Sequence, residues 1–359
     1  MRAERWVAVS VAVVLIVGAT AAQVVLRQGE PSWTGGRQSG GPAAGTLSTP
    51  ERSPAIGAGS GAASAPTSAR TPSSASTGTQ ASPTATPVPA PTAMPTPTPT
   101  PAGPVRTGSD QPPTVGAAFV AVVDEDSGRL LYDKGAHRRV APASLTKIAT
   151  ALVALERGDP RARVRVRFDA AELVDSTLMG LHQGDEVSLE DLLYGLMLPS
   201  GNDAALAIAE HIAGSKAGFV QMMNDKVREL GLRDTQFRNP HGLDEEGHYS
   251  SAYDMVMLAS YGMRRYPLFV KLAGARAWTV RSSRGPYEIY NLNRFLLGYE
   301  GADGVKIGYT EAAGRTIVAS ATRKGHRVYV GLMQSADLVA DTTPLMDYVF
   351  ANYTWPSGS

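Results

Sequence analysis

The 359-residue chain contains no cysteine, which excludes disulfides, cysteine-ligated zinc and a cysteine nucleophile. Its six histidines, at positions 137, 182, 211, 241, 248 and 326, lack the spacing of a metal site, so we expect neither a metal nor another cofactor. The formal net charge is only +1, and no run rich in Lys and Arg carries interleaved aromatics. Nucleic-acid binding is therefore not expected.

Aromatic residues are almost absent from residues 28–113, where Trp33 is alone among Ser, Thr, Pro, Ala and Gly. So little apolar surface cannot offset the ordering entropy of the chain, which predicts a disordered linker. The stretch PTAMPTPTPTP near its end favours extended polyproline II, so the linker is predicted to act as a semi-rigid spacer.

Charged residues are also missing from the run Trp6–Leu26, which follows Arg2 and Arg5. About 20 apolar residues suffice to cross the ~30 Å hydrocarbon layer, so residues 1–27 are predicted to be a membrane segment. Two interpretations remain open: a secretory signal cleaved near Ala19–Ala21, or an uncleaved anchor in the cytoplasmic membrane. The preceding arginines predict that the remainder of the chain is exported.

A globular domain is predicted over residues 114–355, where apolar periodicity begins. Two apolar runs around Asp126-Ser127-Gly128 predict a hairpin, and PASLTKIATALVALERG predicts an amphipathic helix between Pro142 and Gly158. Further helical patterns follow, and the last third returns to short β-rich runs before a final helix. Strands at both ends with helices between them indicate a mixed α/β (α+β) domain with an antiparallel sheet.

Three short motifs occur in order along this domain: SLTK at 144–147, SGN at 200–202 and KIG at 306–308. A Ser-x-x-Lys spacing alone is expected about once by chance in a chain of this length. The ordered set, however, matches the motif trio of penicillin-binding proteins and β-lactamases.

The chain resembles the low-molecular-mass penicillin-binding proteins of the D-alanyl-D-alanine carboxypeptidase type. The resemblance extends to LYGLMLPSGNDAALAIAEHIAG, FRNPHGLDEEGHYSSAYDM and GADGVKIGYTEAAGRTIVASAT, and so spans most of residues 114–350. It implies a β-lactamase/transpeptidase-like fold, with an antiparallel sheet built from N- and C-terminal segments and an inserted helical subdomain. It also implies a serine peptidase that acts on peptidoglycan stem peptides and is inhibited by β-lactams.

Ser144 and Lys147 lie one helical turn apart, so the lysine amine can reach the serine hydroxyl. A lysine accepts that proton only if its pKa is depressed. The resemblance implies that Ser144 is the nucleophile and Lys147 its base. A serine at a helix start also presents a free backbone N–H to an oxyanion, and the family pattern implies the N–H of Tyr309 as the second donor.

Ser200, Gly201 and Asn202 fall between two helices, where Pro199 ends the first. The resemblance implies that Ser200 relays a proton to the leaving group and that Asn202 binds the substrate carbonyl. The alternative is that Ser200 or Asn202 only caps the next helix. On the predicted strand, Lys306, Gly308 and Thr310 share one face and form a candidate substrate-binding edge.

Two departures from the family concern recognition of a terminal carboxylate. Ile307 stands where the family has a hydroxyl residue, and no Arg or Lys occurs from Val328 to Ser359, where it usually has an arginine. Thr310 and Arg315 are candidate substitutes. His241 is predicted to be a structural histidine, and Asp244 with its acidic neighbours a solvated turn.

The leading hypothesis is a serine-type D-Ala-D-Ala carboxypeptidase that forms an acyl-enzyme on Ser144. One alternative is a β-lactamase-like hydrolase, although no Glu-x-x-Leu-Asn segment separates the second and third motifs. The other alternative is a degenerate, non-catalytic module that binds peptidoglycan, which Ile307 and the missing arginine favour. The retained Ser144 and Lys147 argue against it, because a binding module has no chemical need for them.

Overall fold

The computed structural model describes residues 103–356, apart from 169, 171, 172, 174 and 175. The predicted membrane segment at 1–27 and most of the predicted linker lie outside these residues. Within the described part, no helix is both long and apolar enough to cross a bilayer.

The strands of the described residues form one large sheet and three two-stranded pairs. They are β1 Val105–Arg106, β2 Phe119–Asp124, β3 Leu130–Lys134, β4 Arg163–Arg165, β5 Glu186–Ser188, β6 Ala277–Ser282, β7 Gly285–Tyr290, β8 Ala302–Thr310, β9 Gly314–Arg323, β10 His326–Ser335 and β11 Tyr353–Thr354. The large sheet is antiparallel with the order β3-β2-β10-β9-β8.

The helices of the described residues follow the apolar periodicity of the sequence. They are α1 Thr146–Arg157, α2 Leu189–Met197, α3 Asn202–Ala213, α4 Lys216–Glu229, α5 Ala252–Arg265, α6 Pro267–Gly274, α7 Arg294–Gly298 and α8 Leu338–Asn352. Side chains at their starts fix several of them, since Ser188, Ser215 and Ser251 each accept a backbone N–H three residues on.

Strand β2 explains why the sheet joins distant parts of the chain. It pairs with β3 on one side and with β10 on the other, where Val122 lies opposite Val330. Alternate residues point to opposite faces, so Ala121 and Val123 enter one hydrophobic core while Val120 and Val122 enter another. The predicted mixed α/β class, with an antiparallel sheet from N- and C-terminal segments and inserted helices, is confirmed.

Two features depart from the sequence prediction. Residues 277–290, which were not assigned to strands, form the β6–β7 hairpin. Upstream of the predicted boundary at 114, Val105 pairs with Thr354, and the N–H groups of Thr107 and Gly108 donate to the Asn352 carbonyl. Ordered pairing therefore begins before residue 114, because the C-terminal β11 supplies partners that cannot be read from local composition.

Candidate active site

Ser144 lies in a 3₁₀ turn, Ala143–Leu145, that leads directly into α1. The sequence predicted an α-helix start here, and the structure instead has one tighter turn. Ala143 has a positive φ of 51°, which is unfavourable for a residue with a Cβ. The turn ahead of Ser144 is thus a strained conformation that the surrounding chain must hold in place.

Lys147 is fully buried, and its ammonium nitrogen makes three hydrogen bonds. Nζ lies 2.9 Å from Ser144 Oγ, 2.6 Å from Asn202 Oδ1 and 2.6 Å from the carbonyl oxygen of His241. These partners come from the 3₁₀ turn, the start of α3 and the loop before α5. The lysine therefore joins three separate segments at the Ser144 hydroxyl.

Burial holds the pKa of Lys147 well below its usual value, and the positive charge of Lys306 lowers it further. Asp203 opposes both effects, because a nearby carboxylate favours the charged lysine. Burial alone lowers the pKa of Lys306 to about 7. A depressed pKa makes it easier for a lysine to lose its own proton, and the neutral amine can then accept one from a nucleophile.

The SGN tripeptide forms the link between α2 and α3. Ser200 has a positive φ of 65°, and its buried Oγ has no hydrogen-bond partner. The Ser200 carbonyl accepts the Thr177 hydroxyl, and the Asn202 N–H donates to the Thr177 carbonyl. Capping of α3 does not occupy the Ser200 hydroxyl, which leaves it available to a ligand.

Asp203, which the sequence analysis did not single out, organises the wall beside this tripeptide. Its buried carboxylate accepts the backbone N–H groups of Met179, Gly180 and Leu181. Its position directly after SGN places it near the site but does not report these backbone contacts. The carboxylate anchors the segment before β5 against the start of α3.

Strand β8 forms the wall opposite the SGN tripeptide. Its side chains alternate between the two faces of the strand, as predicted. Lys306 and Gly308 are buried, whereas Tyr309 is 64% exposed. A Cβ on Gly308 would lie 2.7 Å from the backbone nitrogen of Ser144 and 2.7 Å from Thr316 Oγ1. Gly308 was predicted to belong to a substrate-binding edge, and in the structure its missing side chain makes room for the Ser144 turn. Lys306 Nζ donates to the Ile307 carbonyl at 3.0 Å.

Thr310 is engaged within the protein. Its hydroxyl donates to Asp244 Oδ1 at 2.7 Å and accepts the Ala313 N–H at 3.1 Å. Asp244 also accepts the Ala312 N–H at 3.3 Å. Asp244 is exposed, as the interpretation of a solvated turn requires, and its carboxylate also holds the β8–β9 turn. Arg315, the other candidate substitute, lies over the Tyr309 ring at 5.9 Å.

The loop 239–248 wraps the Ser144 turn and was only partly recognised from sequence. Besides the His241 carbonyl that binds Lys147, the loop places Gly242 where a Cβ would lie 1.9 Å from the Ala143 carbonyl oxygen. His248 Nε2 lies 2.9 Å from Thr146 Oγ1. His241 behaves as a loop-holding residue, since its Nδ1 accepts the Leu243 N–H.

Burial lowers the pKa of His241 to about 3 and that of His248 to about 4. The positive charge of nearby Lys147 helps to lower the pKa of His241. Both imidazoles are therefore neutral near pH 7 and serve as fixed hydrogen-bonding groups.

One cluster in the described residues brings potential metal ligands together, with atoms of His137, Asp234 and Asp254 within 4.8 Å of one another. The Asp234 carboxylate already pairs with His137 and Arg139. Asp254 accepts the Asp234 N–H and the Thr235 hydroxyl. Existing partners account for this cluster without an ion.

The sheet with its inserted helices, and the contacts that bring Ser-x-x-Lys, Ser-x-Asn and Lys-x-Gly together, define the class of penicillin-binding proteins and β-lactamases. A family model described as D-alanyl-D-alanine carboxypeptidase matches residues 106–336. The chain belongs to this family.

Relatives and solved structures agree with this assignment. D-alanyl-D-alanine carboxypeptidase DacF of Bacillus subtilis is 39% identical over 246 residues, covering 66% of this chain and 63% of DacF. DacD of Escherichia coli is 36% identical over 242 residues, covering 64% of this chain and 61% of DacD. The chain thus spans about three fifths of the length of these curated relatives.

Among solved structures, the Streptomyces K15 DD-transpeptidase superposes with a TM-score of 0.65 and 31% identity, covering 67% of this chain and 100% of that one. A D-alanyl-D-alanine carboxypeptidase from Mycobacterium tuberculosis H37Rv gives a TM-score of 0.63 and 32% identity, covering 68% of this chain and 95% of that one.

Proposed function

We propose that this protein is a serine D-Ala-D-Ala carboxypeptidase that removes the terminal D-alanine of peptidoglycan stem peptides and is acylated by β-lactams. The observation that carries the proposal is the 2.9 Å contact between Lys147 Nζ and Ser144 Oγ, made by a lysine whose pKa burial depresses. Relatives named for this activity support it.

In the proposed acylation, Ser144 Oγ attacks the carbonyl carbon of the penultimate D-alanine while neutral Lys147 accepts the hydroxyl proton. The backbone N–H groups of Ser144 and Tyr309 stabilise the negative charge that develops on the carbonyl oxygen. Asn202 Oδ1 already accepts from Lys147, so its amide group is free to donate to a substrate carbonyl. Lys306 adds positive charge on β8, the strand that also carries the Tyr309 N–H.

Collapse of the tetrahedral intermediate breaks the C–N bond, and the proton held by Lys147 must reach the leaving amine. The buried Ser200 hydroxyl, which lacks a partner, is the proposed relay. Water then attacks the ester, which frees the Ser144 hydroxyl and leaves a carboxylate on the shortened stem peptide.

The N-terminal third of the chain supports a proposal about where in the cell the catalytic domain lies. An apolar segment at 1–27 and a Pro- and Thr-rich spacer at 28–113 suit a catalytic domain held outside the cytoplasm, near or beyond the membrane surface. Exposure of the domain to externally added protease in intact cells, with residues 1–27 present or deleted, tests this placement.

The decisive experiment incubates the protein with a pentapeptide ending in D-Ala-D-Ala and measures free D-alanine, with Ser144→Ala as the control. Mass spectrometry after penicillin treatment should place one penicilloyl group on Ser144. Failure of both assays would reject the proposal and leave the non-catalytic binding module. Rapid loss of the penicilloyl group would instead favour the β-lactamase alternative.

A further inference from the structure

A depression of about 490 Å³ lies between helix α5 and the segment that ends α4. None of the residues that line it belongs to the site around Ser144. Leu230, Leu232 and Met257 form its apolar part. Met257, Ser260 and Arg264 follow one another on α5 at spacings of three and four residues, so they lie along one face of that helix.

The charged part of this lining is entirely positive. Arg264 and Arg265 are both exposed, and no Asp or Glu of the described residues joins them in the lining. Neither guanidinium forms an ion pair in the part of the chain that the structure describes, and Arg265 lies over the Tyr266 ring at 5.6 Å. Tyr261 also lines the depression, but its hydroxyl donates to Glu156. Two cations without a counter-charge favour an anionic ligand.

Ser260 supplies an independent sign that the depression takes a ligand. The residue is only 6% exposed, and its hydroxyl forms no hydrogen bond with any described residue. Most buried polar side chains have a hydrogen-bond partner, so an unpartnered hydroxyl in the lining of a depression indicates a place for a polar ligand atom. Arg264 lies one helical turn further along α5, so both groups can bind the same part of a ligand.

The separation of the apolar and charged parts indicates an amphipathic ligand. A helix rises 1.5 Å per residue, which places Met257 about 10 Å from Arg264 along α5. A peptide fits poorly here, because each of its buried N–H and carbonyl groups needs a partner, and the lining side chains offer few. An acyl chain has no such groups and matches the apolar part.

We propose that this depression binds a single-chain amphiphile with an anionic head. The acyl chain packs against the apolar part of the lining, and the head binds Arg264, Arg265 and the Ser260 hydroxyl. Carboxylate and phosphate heads share the chemistry that guanidinium groups recognise. This site is independent of the proposed function, because none of its residues takes part in the acylation of Ser144.

The test titrates the full chain with octanoate, with octyl phosphate and with octanol as the uncharged counterpart, and measures binding by calorimetry. We expect octanoate or octyl phosphate to bind at least roughly tenfold more tightly than octanol, because hydrogen bonds to charged groups form only with an anion. The tighter of the two anions identifies the head, and either one supports the site. Octanol that binds as tightly as both anions would overturn it.

Substitutions locate the binding in this depression. Arg264→Gln and Arg265→Gln should each weaken binding of the anion, and together they should remove its advantage over octanol. Arg138→Gln, at another exposed arginine, is the matched control. Met257→Gln should weaken binding of the anion and of octanol alike, since it removes apolar contact from both.

Ser260→Ala is the sharper variant, because its hydroxyl has no partner within the protein to lose. It should unfold at no lower Tm than the wild type and yet bind the anion several-fold more weakly, with octanol binding unchanged. An unchanged anion-to-octanol ratio in the double arginine variant would overturn the proposal. So would tighter binding of the peptide Ala-Ala-Leu, which would assign the depression to a protein C-terminus. None of these outcomes bears on the proposed function, which release of D-alanine decides separately.

Discussion

Thr146 Oγ1 lies 2.9 Å from His248 Nε2, and this contact connects the loop 239–248 to the nucleophile turn. His248 Nδ1 accepts the Arg238 N–H, so the neutral ring carries its proton on Nε2 and donates to Thr146. The Thr146 hydroxyl in turn donates to the Ala143 carbonyl at 2.8 Å. A directed chain of hydrogen bonds thus ends on the strained residue before Ser144.

We expect Thr146→Val to lower the rate of Ser144 acylation by a β-lactam roughly tenfold, because small displacements of a nucleophile slow reactions strongly. The variant also leaves the His248 Nε2–H without an acceptor, which destabilises the fold by roughly 1–3 kcal/mol. Stopped-flow acylation and denaturant unfolding measure the two effects.

Thr150→Val is the matched control, since Thr150 also lies on α1 and donates to the Pro240 carbonyl of the same loop. It should lose comparable stability but retain most of the acylation rate, because it does not contact Ala143. Thr146→Ser should restore the rate. Equal rates in the two valine variants would show that the chain to Ala143 has no positioning role.

The close approach of Gly308 to Ser144 gives a second prediction. A methyl group 2.7 Å from the Ser144 nitrogen and from Thr316 Oγ1 forces the strand and the turn apart. We expect Gly308→Ala to reduce acylation roughly 100-fold. Gly298→Ala, at a position where a Cβ meets nothing within 4 Å, should acylate normally. Wild-type acylation by Gly308→Ala would contradict this account of the glycine.

The fold was predictable from sequence wherever pattern and pairing are local. Alternation and the turn at Asp126-Ser127-Gly128 predicted the β2–β3 hairpin, and the helix of SLTK was evident from its apolar period. Other elements depend on partners far along the chain. Val105 becomes a strand only because Thr354 lies opposite it.

The same distinction applies to the candidate site. The motif trio identified the segments around Ser144, Ser200 and Lys306, since each carries its chemistry in adjacent residues. Asp203 and His248 could not be assigned in this way. Their importance comes from backbone groups that they contact elsewhere, such as the Met179 N–H, and no local pattern reports those contacts.

The charge of Lys306 gives a prediction about pH. Because this cation lowers the pKa of Lys147, replacing it with a neutral side chain raises that pKa. Acylation needs neutral Lys147 and so increases with pH. In Lys306→Met the rising limb of the pH–rate profile should therefore move to higher pH, so that the rate at a fixed pH on that limb falls.

Lys271→Met, on α6, is the control and should leave the profile in place. The second-order acylation rate constant is measured from pH 5 to pH 9 for each protein. A rising limb at the wild-type position in Lys306→Met, with only the plateau lowered, would mean that Lys306 acts on the substrate without tuning Lys147.

Ile307 gives the last prediction, because it places a branched hydrocarbon where the family has a hydroxyl. The side chain is half-buried and directly precedes Gly308 on β8. Ile307→Thr would add a donor at this position, and a hydrogen bond to a charged group contributes roughly 1.5–3 kcal/mol. We expect kcat/KM for a D-Ala-D-Ala peptide to rise roughly tenfold or more over Ile307→Val, which keeps the branched shape without the hydroxyl. The C-terminal amide should show no such gain, since it lacks the charge that strengthens the bond. A threonine variant no faster than the valine variant would mean that the hydroxyl does not reach the leaving residue.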